Sequence, residues 1–315
     1  MLRGSVKKHL KQAVPAYVIL AVIMIVIAIV SPSFRRVGNI RNIVAQCAVL
    51  AIVAVAQSNV LLIGGIDMSV ASVISFSTIM VAMFSTNSAA GLIGSIVLAL
   101  LAGAATGLVN GIGVVKFRIP AMIITISTQA FLKGICLILM PKSGGKVNTA
   151  FAAFIKTKLG ILNIAAVIAL VLFAAFFAFY HYTRGGRDLY AVGNSEVYAA
   201  QSGVAVNRVI VRTYVTSGII AALAGVVLSA RIATGNPLVG DSYAMDSVAA
   251  AVVGGISMNG GTGSVIGALA GAVILSLINN VINNMGISPY YQYITKGLIL
   301  VVSLMIFQLK RRKRA

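Results

Sequence analysis

The sequence predicts an all-α polytopic membrane protein of about ten transmembrane helices. Three observations carry this. Apolar residues make up 59% of the 315 residues and charged ones only 10%, against about 45–50% and 25% in soluble domains. Apolar runs of about 20 residues, each able to cross a hydrocarbon core near 30 Å thick, recur from end to end. The net charge of +20 gathers in the short segments between runs, which is the positive-inside pattern of membrane proteins rather than a nucleic-acid footprint.

The first run, residues 14–30, follows a basic leader (Arg3, Lys7, Lys8, Lys11). No small-residue cleavage site comes after it, so it reads as a retained helix and not a signal peptide. Runs at 43–63, 70–84, 89–115, 121–140 and 162–180 follow, then 209–230, 247–258, 264–282 and 291–309. The eighth, 247–258, is short and bracketed by glycines, as a re-entrant or half-length helix would be. An even count puts both termini in the cytoplasm, with the tail Lys310 to Arg314 and with Lys116, Arg118, Arg184, Arg187, Arg208 and Arg212. Arg35, Arg36, Arg41, Lys142, Lys146, Lys156 and Lys158 then face outward. The whole chain reads as one membrane domain, 1–315, with a cytoplasmic segment at 181–208 inside it.

Two runs carry small residues at helical spacing, Gly103/Gly107/Gly111 and Gly263/Gly267/Gly271. Apolar side chains gain little by leaving lipid for protein, so helices associate by close packing that small residues permit. A short internal echo links GGIDMS (64–69) to GGISMN (254–259). Catalytic motifs are missing. SGGKVN (143–148) lacks the first glycine and the Ser/Thr of a nucleotide-binding loop. His9, His181, Cys47 and Cys136 have no metal-ligand spacing. No cofactor is expected on this chain, and any pumping would have to draw its energy from a partner or an ion gradient.

The five acidic residues are Asp67, Asp188, Glu196, Asp241 and Asp246. Asp67 sits in LLIGGIDMSVAS, between two apolar runs, where a charge costs about 2.5–3.5 kcal/mol. Two readings stay open for it: a gating carboxylate near a pathway, or a cap accepting from the Ser69 and Val70 amides of the next helix. Asp246 is expected to cap the eighth helix, and Lys133 and Lys296 either to pair with an acidic residue or to snorkel to an interface, snorkelling being the favoured reading. Asn279 with Asn283, and Asn280 with Asn284, fall at i, i+4 on one face, either lining a path or joining helices. Gln57, Asn59, Asp67, Asn110, Thr125, Asp246, Asn279 and Asn283 are the pathway or gating candidates. Segment 181–208 opens with glycines and basic residues. It then predicts a short helix with Asn194 or Ser195 as N-cap and Glu196 at the positive end of its dipole, stopped by Ser202-Gly203-Val204.

GGIDMSVAS resembles the hallmark GGIDLSVGS of the permease subunits of ribose-type monosaccharide ABC importers. The likeness continues through SPSFRRVGNIRNI, IPAMIITISTQAFLKGI with Thr125, Lys133 and Gly134 in matching places, GRDLYAVGNSEVYAAQSGVAVNR, GDSYAMDSVAAAVVGGISMNGGTGSVIGALAGAVI and YYQYITKGLIL. The resemblance implies a type II importer-like permease fold in the inner membrane of a prokaryote. It implies a second permease chain, an extracytoplasmic sugar-binding protein, and a cytoplasmic ATPase carrying the ATP and Mg. Gly193, Asn194, Ser195, Glu196, Ala199, Ser202 and Gly203 would form the coupling helix seated in that ATPase. Autoinducer-2 or another carbohydrate-like ligand is the alternative cargo. A gradient-driven carrier is poorly served by so few acidic residues. The chain departs from the family at Gln57, Ser58 and Asn59, which are more polar than usual. It departs again at Ala71 and Ala244, and at Ala200, where an arginine is frequent.

Overall fold

The computed structural model describes residues 2–30, 34–85, 88–286, 291, 294, 297 and 298. The predicted run at 291–309, the tail after it and Lys296 lie, but for those isolated positions, outside the described residues. The first half holds α1 (Leu2–Val30), α2 (Val37–Leu62), α3 (Val70–Phe84), α4 (Ala89–Lys116) and α5 (Ala121–Leu139). A connection then carries the short α6 (Thr149–Lys156) and a two-residue antiparallel ladder of β1 (Lys158–Leu159) with β2 (Leu162–Asn163). The second half holds α7 (Ile164–Tyr182), α8 (Arg184–Asn194), α9 (Glu196–Gln201), α10 (Val206–Ile232), α11 (Asp241–Val253) and α12 (Val265–Asn284). Among the described residues α2, α4, α5, α7, α10 and α12 are long and apolar enough to cross a membrane, and Ala13–Ile29 and α3 are shorter apolar helices.

α2 is apolar on every side and is therefore central. Residues from Cys47 to Leu62 are all buried, with α10, α12, α7 and α11 packed around them. The two glycine triplets make close seams. A Cβ at Gly103 or Gly107 would strike the Gly218 or Tyr214 carbonyl, and one at Gly111 would lie 2.8 Å from the Val211 Cα. α4 and α10 therefore touch backbone to backbone. Gly267 and Gly271 meet the Gly254 and Ala250 carbonyls in the same way, joining α12 to α11. Some helix starts are capped by side chains: Ser88 accepts from the Gly91 amide at 3.1 Å, and Asn163 from the Ala166 amide at 2.8 Å.

Three helices end in the same motif. Gly64, Gly203 and Gly255 have φ of +79°, +80° and +92°, where a Cβ is disfavoured. Each closes a pair of reversed hydrogen bonds: Gly65 to Val60 with Gly64 to Leu61, Val204 to Ala199 with Gly203 to Ala200, and Ile256 to Ala251 with Gly255 to Val252. The textual echo GGIDMS/GGISMN thus marks two real helix ends. They are offset by one residue, because the first glycine turns the chain in one and the second in the other.

Several expectations need correction. The eighth helix starts at Asp241, not 247, and stops at Val253, with residues 254–264 irregular. Asp246 consequently lies inside α11 and does not cap it; the N-cap position is Gly240, which has no side chain to offer. Gly240 sits there because its backbone presses on the Ala71 carbonyl. At 13 residues α11 spans about 20 Å, short of a hydrocarbon core near 30 Å thick. Residues 162 and 163 belong to the ladder and not to the sixth run, which begins at Ile164. Lys133 does not snorkel free: its Nζ pairs with Asp241 Oδ2 at 2.6 Å, each side chain about a third exposed.

Candidate functional site

The break between α2 and α3 gathers a buried polar cage. Asp67 is fully buried. Its Oδ1 accepts from the Ser69 amide at 3.0 Å and the Ser69 hydroxyl at 2.6 Å, and its Oδ2 from the Ser217 hydroxyl of α10 at 2.9 Å. Asn110 of α4 donates to Ser69 Oγ at 2.9 Å and accepts from Thr128 of α5 at 2.7 Å. Thr125 of α5 donates to the Ile66 carbonyl at 3.1 Å. The Gln57 side chain, oriented by its hydrogen-bonding pattern, donates to the Asp67 carbonyl at 3.0 Å and accepts from the Asp67 amide at 3.3 Å. A broken helix frees backbone groups that must find partners inside the protein, and this cage supplies them. Of the two amides expected to cap onto Asp67, Ser69 does so.

Four of the predicted residues, Gln57, Asp67, Asn110 and Thr125, therefore meet at one place on α2, α4 and α5, and Ser217 adds α10. The others stand apart. Asn59 accepts from the Tyr180 hydroxyl of α7 at 2.6 Å. Asp246 is buried in α11, near Tyr243 and Arg231. Asn280 exchanges hydrogen bonds with Asn39 at the start of α2 (3.0 and 3.2 Å) and accepts from Asn284 at 2.9 Å. That half of the asparagine stripe joins helices, while Asn279 and Asn283 lie beside it on α12. Sequence reasoning missed Thr128 and Ser217, and of Ser69 it named the amide but not the hydroxyl. Hydroxyls in apolar helices are common enough that no pattern separates Thr128 and Ser217 from the rest.

Segment 181–208 folds as two helices. The predicted short helix is α9, with Ser195 as its N-cap accepting from the Tyr198 amide at 3.3 Å and Glu196 in its first turn. Its predicted stop at Ser202-Gly203 is also present. α8 was not expected, since its glycines read as breakers. Thr183 caps it, and Gly186 lets it fold back on the Phe179 and Tyr180 backbone. Ala199 is buried with Val60, Val192, Ile210 and Tyr214, whereas Val197 (65%) and Tyr198 (72%) are exposed. Burial pushes the Tyr190 hydroxyl of α8 above the ordinary tyrosine range.

A family model described as branched-chain amino acid transport system / permease component matches residues 39–304. The chain belongs to this family. It is 34% identical over 295 residues to the ribose import permease protein RbsC of Escherichia coli (strain K12), covering 91% of each chain. It is 32% identical over 299 residues to RbsC of Bacillus subtilis (strain 168), covering 94% of this chain and 92% of that one. The galactose/methyl galactoside import permease protein MglC of Haemophilus influenzae is 32% identical over 328 residues, at 97% and 96% coverage. No solved structure matches at comparable significance. As a family member the chain is a multi-pass inner-membrane transport component, not an enzyme.

Proposed function

We propose that this chain is the permease subunit of an ABC importer that moves a monosaccharide, a ribose-like pentose or a hexose, across the inner membrane. The observation that carries the reading is the end-to-end likeness to ribose and galactose import permeases. The reading is a type II-like arrangement of about ten crossings, with α11 as a short eighth. Both termini are then cytoplasmic. α8 and α9 fall on the same side, where Val197 and Tyr198 anchor a cytoplasmic ATPase. That ATPase carries ATP and Mg. A second permease chain, identical or not, completes the pathway, and an extracytoplasmic protein delivers the sugar.

The test is uptake in cells together with co-purification. Sugar entry should survive an uncoupler that spares ATP, and a P-loop ATPase should be retained with the purified chain. Loss of entry with the proton gradient, or no ATPase under mild conditions, would overturn the proposal. Uptake of autoinducer-2 in place of a sugar would keep the architecture and change the cargo.

A further inference from the structure

The end of α2 at Leu62, with the break that follows it at 63–69, and the break at 254–264 meet at a single point on α8. A Cβ at Gly193 would collide with the Leu62 carbonyl oxygen and come within 2.6 Å of the Gly261 nitrogen. A Cβ at Gly260 would lie 2.7 Å from the Gly193 oxygen and 2.8 Å from the Gly64 nitrogen. The Gly261 amide itself donates to the Leu62 carbonyl at 2.9 Å. Three backbones thus touch with no side chain between them. Side chains of α8 extend the contact: the Tyr190 hydroxyl donates to the Gly263 carbonyl at 2.9 Å, and Asn194 Nδ2 reaches the Gly261 carbonyl at 3.4 Å. Tyr190 also stacks edge-on with Tyr180, ring centres 5.9 Å apart, and Tyr180 holds Asn59 of α2.

Gly64 stands three residues before Asp67. A shift of the first break therefore reaches the Asp67 cage and, through it, α4, α5 and α10. The second break leads directly into α12 through Gly263. Tightly packed backbone does not absorb displacement as a layer of flexible side chains would.

We infer that Tyr190 and Gly193 are positioning residues that tie α8 to both breaks at once, so that a movement of the α8–α9 segment shifts the Asp67 cage and the start of α12 together. This rests on the reading of 181–208 as the ATPase-docking segment. Neither residue needs to touch the ATPase or the sugar. Tyr190 stays engaged by its hydroxyl, and Gly193 by having no side chain.

The experiment uses the intact importer in proteoliposomes, measuring sugar uptake and ATP hydrolysis in the same vesicles. Tyr190→Phe keeps the ring and removes the hydroxyl that donates to the Gly263 carbonyl. It should retain the ATPase and its basal hydrolysis, while sugar moved per ATP falls about fivefold, the factor one neutral hydrogen bond is worth. Gly193→Ala should abolish uptake. Wild-type uptake per ATP in Tyr190→Phe would overturn the inference, whether or not Gly193→Ala assembles. Loss of the ATPase from Tyr190→Phe would also overturn it, since Tyr190 would then serve docking. If the unaltered chain retained no ATPase at all, the functional proposal would fail, which is a distinct result.

Discussion

Asp67 offers the sharpest test of what the broken α2–α3 junction requires. Truncation to alanine removes the acceptor for three hydrogen bonds, from the Ser69 amide, the Ser69 hydroxyl and the Ser217 hydroxyl. Ser217 lies in α10 and can fall back on the carbonyl four residues earlier, a common refuge for helical serines. The two Ser69 donors have no such recourse. A buried donor left unsatisfied costs about 1–3 kcal/mol, and membrane bundles tend toward the low end. Asp67→Ala should therefore lose about 2–4 kcal/mol. Asp67→Asn keeps an oxygen toward Ser69 and presents an amide to Ser217, whose hydroxyl can turn to accept it, so its loss should be about 1 kcal/mol. The assay is the monodisperse fraction of detergent-purified protein after graded heating, with uptake measured alongside. Stability should fall in the order wild type, Asn, Ala. Wild-type heat resistance in the alanine variant, or an asparagine variant weaker than alanine, would refute this account. Normal uptake by a stable asparagine variant would leave Asp67 a structural group with no gating role.

Further outcomes follow from the seams and the ion pair. Gly107→Val should prevent assembly, because its added carbons meet the Tyr214 carbonyl, a backbone atom that cannot swing aside; a monodisperse, heat-stable product would contradict the α4–α10 contact. Lys133→Met and Asp241→Asn each break an ion pair about a third exposed, which at that exposure is worth about 1 kcal/mol or less. A double-mutant cycle read by heating should show that coupling; strict additivity would mean the pair is incidental.

Much of the fold was legible because membrane spans announce themselves by length and apolarity. α3 matches its predicted run at both ends, and α4 and α5 differ by one residue. The glycine triplets were legible as packing faces, although their partners were not: nothing in Gly103 or Gly107 names α10. The failures share a cause. Gly185 and Gly186 read as breakers, yet α8 runs through them because Gly186 is pressed on the Phe179–Tyr180 backbone. Asp246 reads as a helix start because the apolar run begins beside it, whereas the helix begins where Gly240 meets α3. In both cases a tertiary contact overrode local propensity. The cage was half visible. Asp67 stood out by charge, and Gln57, Asn110 and Thr125 by polarity in apolar surroundings, but Ser217 lies 150 residues away in a stretch with no distinguishing mark.

The seam between α4 and α10 has a mechanical corollary. Two rods locked carbonyl against glycine along successive turns have no lubricating layer, and neither can slide or roll without driving an oxygen into its neighbour's main chain. They travel as one plate. Any change of shape must then carry α4 and α10 together, and with them the Asn110 and Ser217 sides of the Asp67 cage.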